Sequence, residues 1–320
     1  MRRVLVIACL AGCGDNLRAV PFDEYPAEEL AARCRFWVRC GLVGSEEQCA
    51  QFSQPRADPD VVAAVDAGFI KWDAERAQLC IDWYDSLDCD PTTEHYRYAP
   101  CFPLYLGTKR DGEACAFGYE CISRECWLEG AECSDACCTG YCAGDTPPVR
   151  GGIGDRCRYA PCREGFCEDS LCVPLRGEGE ACAGSSECEI GLSCDWGTCK
   201  LLPALGESCT HACRDVGQQC DGFTARCARV LLQGERCYVD DECSPFYECS
   251  TTKSTCQLIG GGGSCGVLKQ GNCALPYVCD YMADKCSAPK PDGAACSSGV
   301  ECASYSCNFE TRACTSDLCF

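Results

Sequence analysis

The chain has 320 residues, of which 40 are Cys, 32 Gly and 2 His, and its formal net charge is -20. Apolar side chains other than cysteine make up about a third of it, too few and too interrupted by glycine for one large enzyme core. So many thiols argue against a reducing cytosol, and the acidic surface argues against nucleic acid, whose phosphates it repels.

Met1-Arg2-Arg3 is a short basic start, followed by an apolar stretch from Val4 to Ala11. That stretch is far shorter than the roughly 20 apolar residues a membrane span needs, and reads as the apolar region of a secretion signal. It closes on Leu10-Ala11-Gly12-Cys13, which resembles the lipobox of bacterial lipoproteins. The resemblance implies cleavage between Gly12 and Cys13, and acyl chains on Cys13. The leader of 12 residues is shorter than the usual length of roughly 15–30. Two or three acyl chains anchor a protein stably, where one binds marginally. Gly14 does not resemble the Asp retention signal of some Gram-negative bacteria, which implies the outer rather than the inner membrane. Loss of Arg2 and Arg3 with residues 1–12 takes the charge from -20 to -22. Without Cys9 and Cys13, 38 of the 40 cysteines remain, an even number as pairing requires.

Residues 13–25 read as a lipidated tether, and residues 26–104 as a helical domain stapled by six cysteines. Pro26, with Glu28 and Glu29, opens a helix that carries Leu30, Cys34, Trp37 and Val38, and Gly41 caps its end. Ser45 with Glu46 and Glu47 starts a second, leading to Cys49 and Phe52. Asp58-Pro59 opens a third with Val61, Val62 and Val65, ending at Gly68. Trp72, Ala77, Leu79, Cys80, Trp83 and Leu87 mark a fourth. Cys34, Cys40, Cys49, Cys80, Cys89 and Cys101 can form three bridges. Trp37, Trp72 and Trp83 read as core residues.

Residues 105–320 read as tandem four-cysteine repeats. Cysteines 115, 157, 182, 209, 237, 265 and 296 each follow a glycine three residues earlier: Gly112, Gly154, Gly179, Gly206, Gly234, Gly262 and Gly293. The quartets are 115/121/126/133, 157/162/167/172, Cys182/Cys188/Cys194/Cys199, 209/213/220/227, Cys237/Cys243/Cys249/Cys256, 265/273/279/286 and Cys296/Cys302/Cys307/Cys314. Between the last six, the spacers are nine, nine, nine, eight and nine residues, a signature of tandem duplication. Cys133, Cys137, Cys138 and Cys142 break the pattern. With Gly130 they could form a truncated eighth unit, and Cys319 could serve the same group.

A unit this small and this poor in aliphatics cannot bury enough surface to fold alone. Crosslinks that restrict the unfolded chain contribute about 3 kcal/mol each for loops of about 15 residues. Four cysteines allow three connectivities; first to third and second to fourth is the working assignment. The glycine predicts a positive φ in the turn leading into each unit. The fold class expected is therefore small disulfide-rich repeats, short β-hairpins and turns in an elongated rod, preceded by the helical domain.

The stretch Gly179-Glu180-Ala181-Cys182, Glu187-Cys188, Gly191-Leu192-Ser193-Cys194 and Gly197-Thr198-Cys199 resembles the Dickkopf N-terminal cysteine-rich domain. Gly293–Cys314 is similar to it too. The resemblance covers residues 112–314, rests on Cys and Gly spacing, and implies a fold rather than an activity.

Thiolate metal sites and redox motifs use Cys-x-x-Cys, a spacing absent from this chain, so disulfides are the expected state. Only His95 and His211 could serve as a catalytic histidine base. No cofactor is implied. Bound Ca²⁺ would draw on Asp195, Asp221, Asp240, Asp241 and Glu242, none of which follows EF-hand spacing. Trp127, Trp196, Phe246, Tyr247 and Tyr277 lie near module cysteines, either packed on disulfides or forming a repeated recognition surface.

The function expected is non-enzymatic: a lipid-anchored protein of a Gram-negative-type envelope that presents the repeats for binding or adhesion to a protein or glycan. A purely structural spacer is one alternative. An envelope hydrolase with its site in residues 26–104 is another. A polar cleft containing His95 would mark the hydrolase, and aligned aromatic faces on successive modules would mark the binder.

Overall fold

The computed structural model describes residues 18–316, apart from 53–58, 91–99, 102, 129–139, 146–150, 158–161, 164, 211–212, 266–272, 282 and 309–310. The lipobox around Cys13 lies outside this set, as do His95, His211, Cys133, Cys137, Cys138 and Cys319.

Four helices build the first domain: α1 (Tyr25–Arg39), α2 (Glu46–Cys49), α3 (Pro59–Asp66) and α4 (Ala74–Ser86). Local chemistry sets their ends. Pro26 sits in the first turn of α1, and Gly41 follows its last turn at φ +69. The Ser45 hydroxyl accepts the Gln48 N–H at 3.2 Å, and the Asp73 carboxylate accepts that of Arg76 at 2.9 Å. Cys34–Cys49 ties α1 to α2, while Cys40–Cys89 and Cys80–Cys101 pin the loops after α4.

Two boundaries differ from the sequence reading. Trp72 is not helical: it lies in strand β1 (Ile70–Trp72), antiparallel to β2 (Tyr105–Gly107), with Trp72 opposite Tyr105. The cap that starts α4 is Asp73, one residue later, whose carboxylate takes up a free N–H of the first turn. The domain therefore runs past 104 into β2. It also reaches back into the tether. Val20 is fully buried, its N–H bonds the Ala74 carbonyl at 3.1 Å, and its carbonyl accepts the Trp72 indole N–H at 2.7 Å. Phe22, Tyr25 and Tyr105 pack their rings around Trp72 at centroid distances of 5.4, 5.0 and 5.6 Å.

The repeats are short antiparallel hairpins stitched by disulfides. The third and fourth cysteines of a module face each other across its hairpin, as Cys194 and Cys199 do. Opposite residues project to the same face, where the first and second cysteines wait. The bonds are first to third and second to fourth: Cys182–Cys194 with Cys188–Cys199, Cys237–Cys249 with Cys243–Cys256, and Cys296–Cys307 with Cys302–Cys314. Modules beginning at Gly154, Gly206 and Gly262 are bonded in the same order.

The offset glycine occupies the third position of a four-residue turn in all seven modules, with φ between +78 and +90. Its N–H bonds the carbonyl of the fourth cysteine of its own module, from Gly112 to Cys142 through Gly293 to Cys314. Each module thus closes on itself. Successive modules are stitched by the linker residue three before the glycine, whose carbonyl accepts the N–H after the next second cysteine, as Arg176 does from Glu189.

This closure corrects the first quartet. Cys142, not Cys133, is the fourth cysteine of module one: it bonds Cys121 and faces Cys126 across the hairpin. Strand β5 (Gly140–Cys142) pairs with both β3 (Ala114–Cys115) and β4 (Cys126–Leu128). The other cysteines of the stretch read as an eighth unit, Cys133, Cys137 and Cys138, lie outside the described residues.

The repeats are not free of the helical domain. Module five docks on the helical domain through Phe246 and Tyr247, which join Leu30, Cys34, Leu42, Val43 and Cys49 in one buried cluster. Trp37 and Phe52 place their rings 4.7 and 4.9 Å from that of Phe246. Modules four and six add backbone bonds, Val216 N–H to Cys89 carbonyl at 2.9 Å and Leu275 N–H to Gln51 carbonyl at 2.7 Å. Two aromatic residues after one second cysteine supply the apolar area that a disulfide unit lacks, and the helical domain covers it.

Candidate binding surfaces

Two kinds of residue meet where one module follows another: a buried acid with its cation, and aromatic rings near the hairpin tips. The acid precedes the second cysteine. Glu120 and Glu301 are fully buried, and Glu120, Glu187, Glu242 and Glu301 all accept the backbone N–H of the residue after the first cysteine. In three of these modules the linker supplies a cation. Lys109 pairs with Glu120, Arg176 with Glu187 at 3.3 Å, and Lys290 with Glu301 at 2.8 Å. Against burial, which works to raise its pKa, hydrogen bonds from Lys290 and Ser297 hold the Glu301 carboxyl below the usual range.

The cations have further partners at these junctions. Lys109 lies 3.9 Å from the Phe69 ring centroid and Arg176 lies 5.2 Å from that of Phe166. Lys290 also meets Asp280, one residue past a third cysteine, at 3.0 Å.

A second acid supports the turns. Glu113, Asp155, Glu180, Glu207 and Glu235 each follow the offset glycine and accept the N–H at the start of its turn. The Arg229 guanidinium holds Glu235 down to about 2. Both acids carry a sequence signal separate from the cysteine spacing: Gly followed by Glu or Asp, and Glu directly before the second cysteine. Part of the large negative charge is therefore structural.

The candidate aromatic residues divide. Phe246 and Tyr247 are buried against the helical domain, and burial pushes the Tyr247 phenol up to about 12. Tyr277 packs against the sulfur cluster of module six. Trp127 is 63% exposed and Trp196 74% exposed. Trp127 stands opposite Tyr141, also exposed, on one face of the first hairpin. Phe223 and Tyr281, absent from the sequence-based set, sit between third and fourth cysteines as Trp196 does, and both are exposed. The signal available was an aromatic residue two or three places past the third cysteine. Trp72 and Trp83 pack within the helical domain, and Trp37 packs both there and against Phe246 of module five.

The candidate calcium residues are not one site. Asp195 is buried and pairs with Lys200 at 3.2 Å. Asp240 accepts the Cys249 N–H at 2.6 Å. Asp221, Asp241 and Glu242 line one cleft of about 300 Å³ between modules four and five, with Phe223 and Val239 as apolar walls. In the helical domain, a shallow depression carries Arg18, Glu28, Arg35, Gln78, Asp82 and Asp85. Arg35 grips Asp85 there through two bonds of 2.9 and 2.8 Å.

Sulfur atoms of several modules lie within 4.8 Å of one another, a consequence of two disulfides stacked side by side. No protein-family model, curated protein or solved structure matches this chain. The disulfide density fits a compartment outside the reducing cytosol, and among the described residues no helix is long and apolar enough to cross a membrane.

Proposed function

We propose that the chain is a lipid-anchored protein of a Gram-negative-type cell envelope that presents disulfide modules for binding or adhesion, by presentation rather than catalysis. The lipobox-like Leu10-Ala11-Gly12-Cys13 supplies the anchor, on the outer membrane, and the spacing of the modules is similar to the Dickkopf N-terminal domain. The observation that carries the binding reading is the set of exposed rings near or at hairpin tips, Trp127, Trp196, Phe223 and Tyr281. A disulfide unit needs no exposed ring for stability, and a large apolar side chain in water is what a protein or glycan partner covers.

Mass spectrometry of protein extracted from its host membrane tests the anchor: an acylated N-terminal Cys13 is expected, and an unmodified residue there contradicts it. Adhesion of cells carrying W127A/W196A, anchored at the wild-type level, tests the role. Loss of adhesion is expected. Adhesion equal to wild type would favour the spacer, a reading that the use of Phe246 and Tyr247 as internal packing also supports.

A further inference from the structure

Glu stands directly before the second cysteine in modules one, three, five and seven, and of these four only module five has no linker cation three residues before its offset glycine. At the junction before module three, the linker cation Arg176 lies between a ring of the preceding hairpin, Phe166, and the acid before the next second cysteine, Glu187. Before module seven, Lys290 is held by Asp280, one residue past the preceding module's third cysteine, and by Glu301. Before module five, two corresponding groups line a single cleft, Asp221 one residue past the third cysteine and Glu242 before the second, and the Phe223 ring, from the tip of the preceding hairpin, lines it with them. The linker position is Leu231, whose N–H bonds the Glu242 carbonyl at 2.7 Å just as Lys290 N–H bonds that of Glu301 at 2.8 Å. Leu231 packs on the core shared with the helical domain. Docking has taken the linker side chain, and the acceptors have kept their places.

We propose that this cleft receives a lysine or arginine side chain from a basic segment of a partner protein, which takes the position the linker cation holds elsewhere. Among the described residues, no Lys or Arg of the chain forms an ion pair with Asp221, Asp241 or Glu242. Arg229, nearby in sequence, is held by Glu235 at 2.5 Å. Phe223 is 77% exposed and Val239 47%, and the long apolar stem of Lys or Arg is suited to lie against such walls with its head among carboxylates. A ring face beside those carboxylates attracts a cation further. The chain's charge of -20 steers a basic segment toward it.

This proposal rests on the binding reading but is tested apart from it, because its variants alter Phe223 and Asp241 and leave Trp127 and Trp196 in place. Tetralysine is titrated calorimetrically into the full disulfide-bonded chain, wild type, F223A, D241N and E178Q. Phe223 and Asp241 are exposed, so neither change disturbs a core. Glu178 is an exposed acid in the turn of module three, and E178Q removes the same charge elsewhere. F223A and D241N are expected to weaken binding by about three- to ten-fold, with E178Q unchanged. Equal affinity in wild type and F223A would overturn the proposal, as would an E178Q loss matching that of D241N, the mark of diffuse charge attraction. Displacement of tetralysine by millimolar Ca²⁺ with no dependence on Phe223 would overturn it too, by assigning the carboxylates to a metal. Any of these failures leaves the adhesion test with W127A/W196A standing.

Discussion

The Ser244 hydroxyl donates to the Leu42 carbonyl at 2.6 Å, joining positions 202 residues apart, and both residues are buried. Ser244 follows the second cysteine of module five, and its N–H is held by the Leu231 carbonyl at 2.9 Å in the stitch common to the repeats. One residue thus belongs both to the internal frame of the repeats and to the interface with the helical domain. The helical domain is fastened to the middle of the array as well as to its start.

Removing that bond leaves the Leu42 carbonyl buried without its partner. S244A is expected to destabilise the docked arrangement by about 1–3 kcal/mol, and F246A by about 3–5 kcal/mol through the cavity it opens among Trp37, Phe52 and Leu30. Both should speed hydrogen exchange at the interface while leaving the disulfide pattern intact. Exchange mass spectrometry checks this; unchanged protection in F246A would show that module five does not depend on this contact.

The offset glycines give a cleaner contrast. At Gly179 and Gly206 an added Cβ meets nothing within 4 Å, but φ is +86 and +81. Alanine there should cost about 1–2 kcal/mol from backbone strain alone. At Gly217 a Cβ would lie 1.9 Å from the Cys40 carbonyl oxygen, so G217A should cost more and disturb docking. Denaturant midpoints of the three variants, compared at constant m-value, measure the difference.

Buried ion pairs at the junctions predict asymmetric mutational effects. K290M leaves Glu301 buried without its charge partner and should destabilise module seven by about 3–5 kcal/mol, whereas K290M/E301M should recover much of that loss. Equal loss in the single and double variants would show that the carboxylate, through its bonds to Ser297, matters apart from Lys290.

Acid should weaken the turn of module five in a defined window. The carboxyl of Glu235 lies at about 2 in the folded chain against an ordinary 4.5. Its folded value is depressed, so its stabilisation is full above about 4.5 and fades as pH falls toward 2. R229Q should remove most of this pH dependence, read from the unfolding midpoint between pH 5 and about 2. A wild-type profile unchanged by R229Q would contradict the role of Arg229.

Much of the architecture was legible because the repeat is written in residues with narrow geometric uses. Seven glycines at one offset announce seven positive-φ turns, and four cysteines per unit announce small crosslinked hairpins. Helix ends at Pro26, Gly41, Ser45 and Gly68 were legible for the same reason. Trp72 was misplaced because a three-residue strand has no period to detect, and Val20 because one buried residue in a polar segment carries no pattern. Cys142 was hidden because Cys133 stands at the expected spacing. The docking of Phe246 and Tyr247 left no local mark, since an aromatic pair reads the same whether it covers its own disulfides or another domain. The cleft became visible only by comparing junctions, where Leu231 stands in place of Lys or Arg.

The central claim is that paired disulfides do in each module what an apolar core does in larger domains. Peptide mass spectrometry of the native protein, alkylated without reduction and digested, tests it most directly. The account predicts linked peptides in first-to-third and second-to-fourth order, with Cys121 joined to Cys142 and no alkylation at the paired module cysteines. Alkylated thiols at those positions, or a native mass carrying zinc on them, would contradict it.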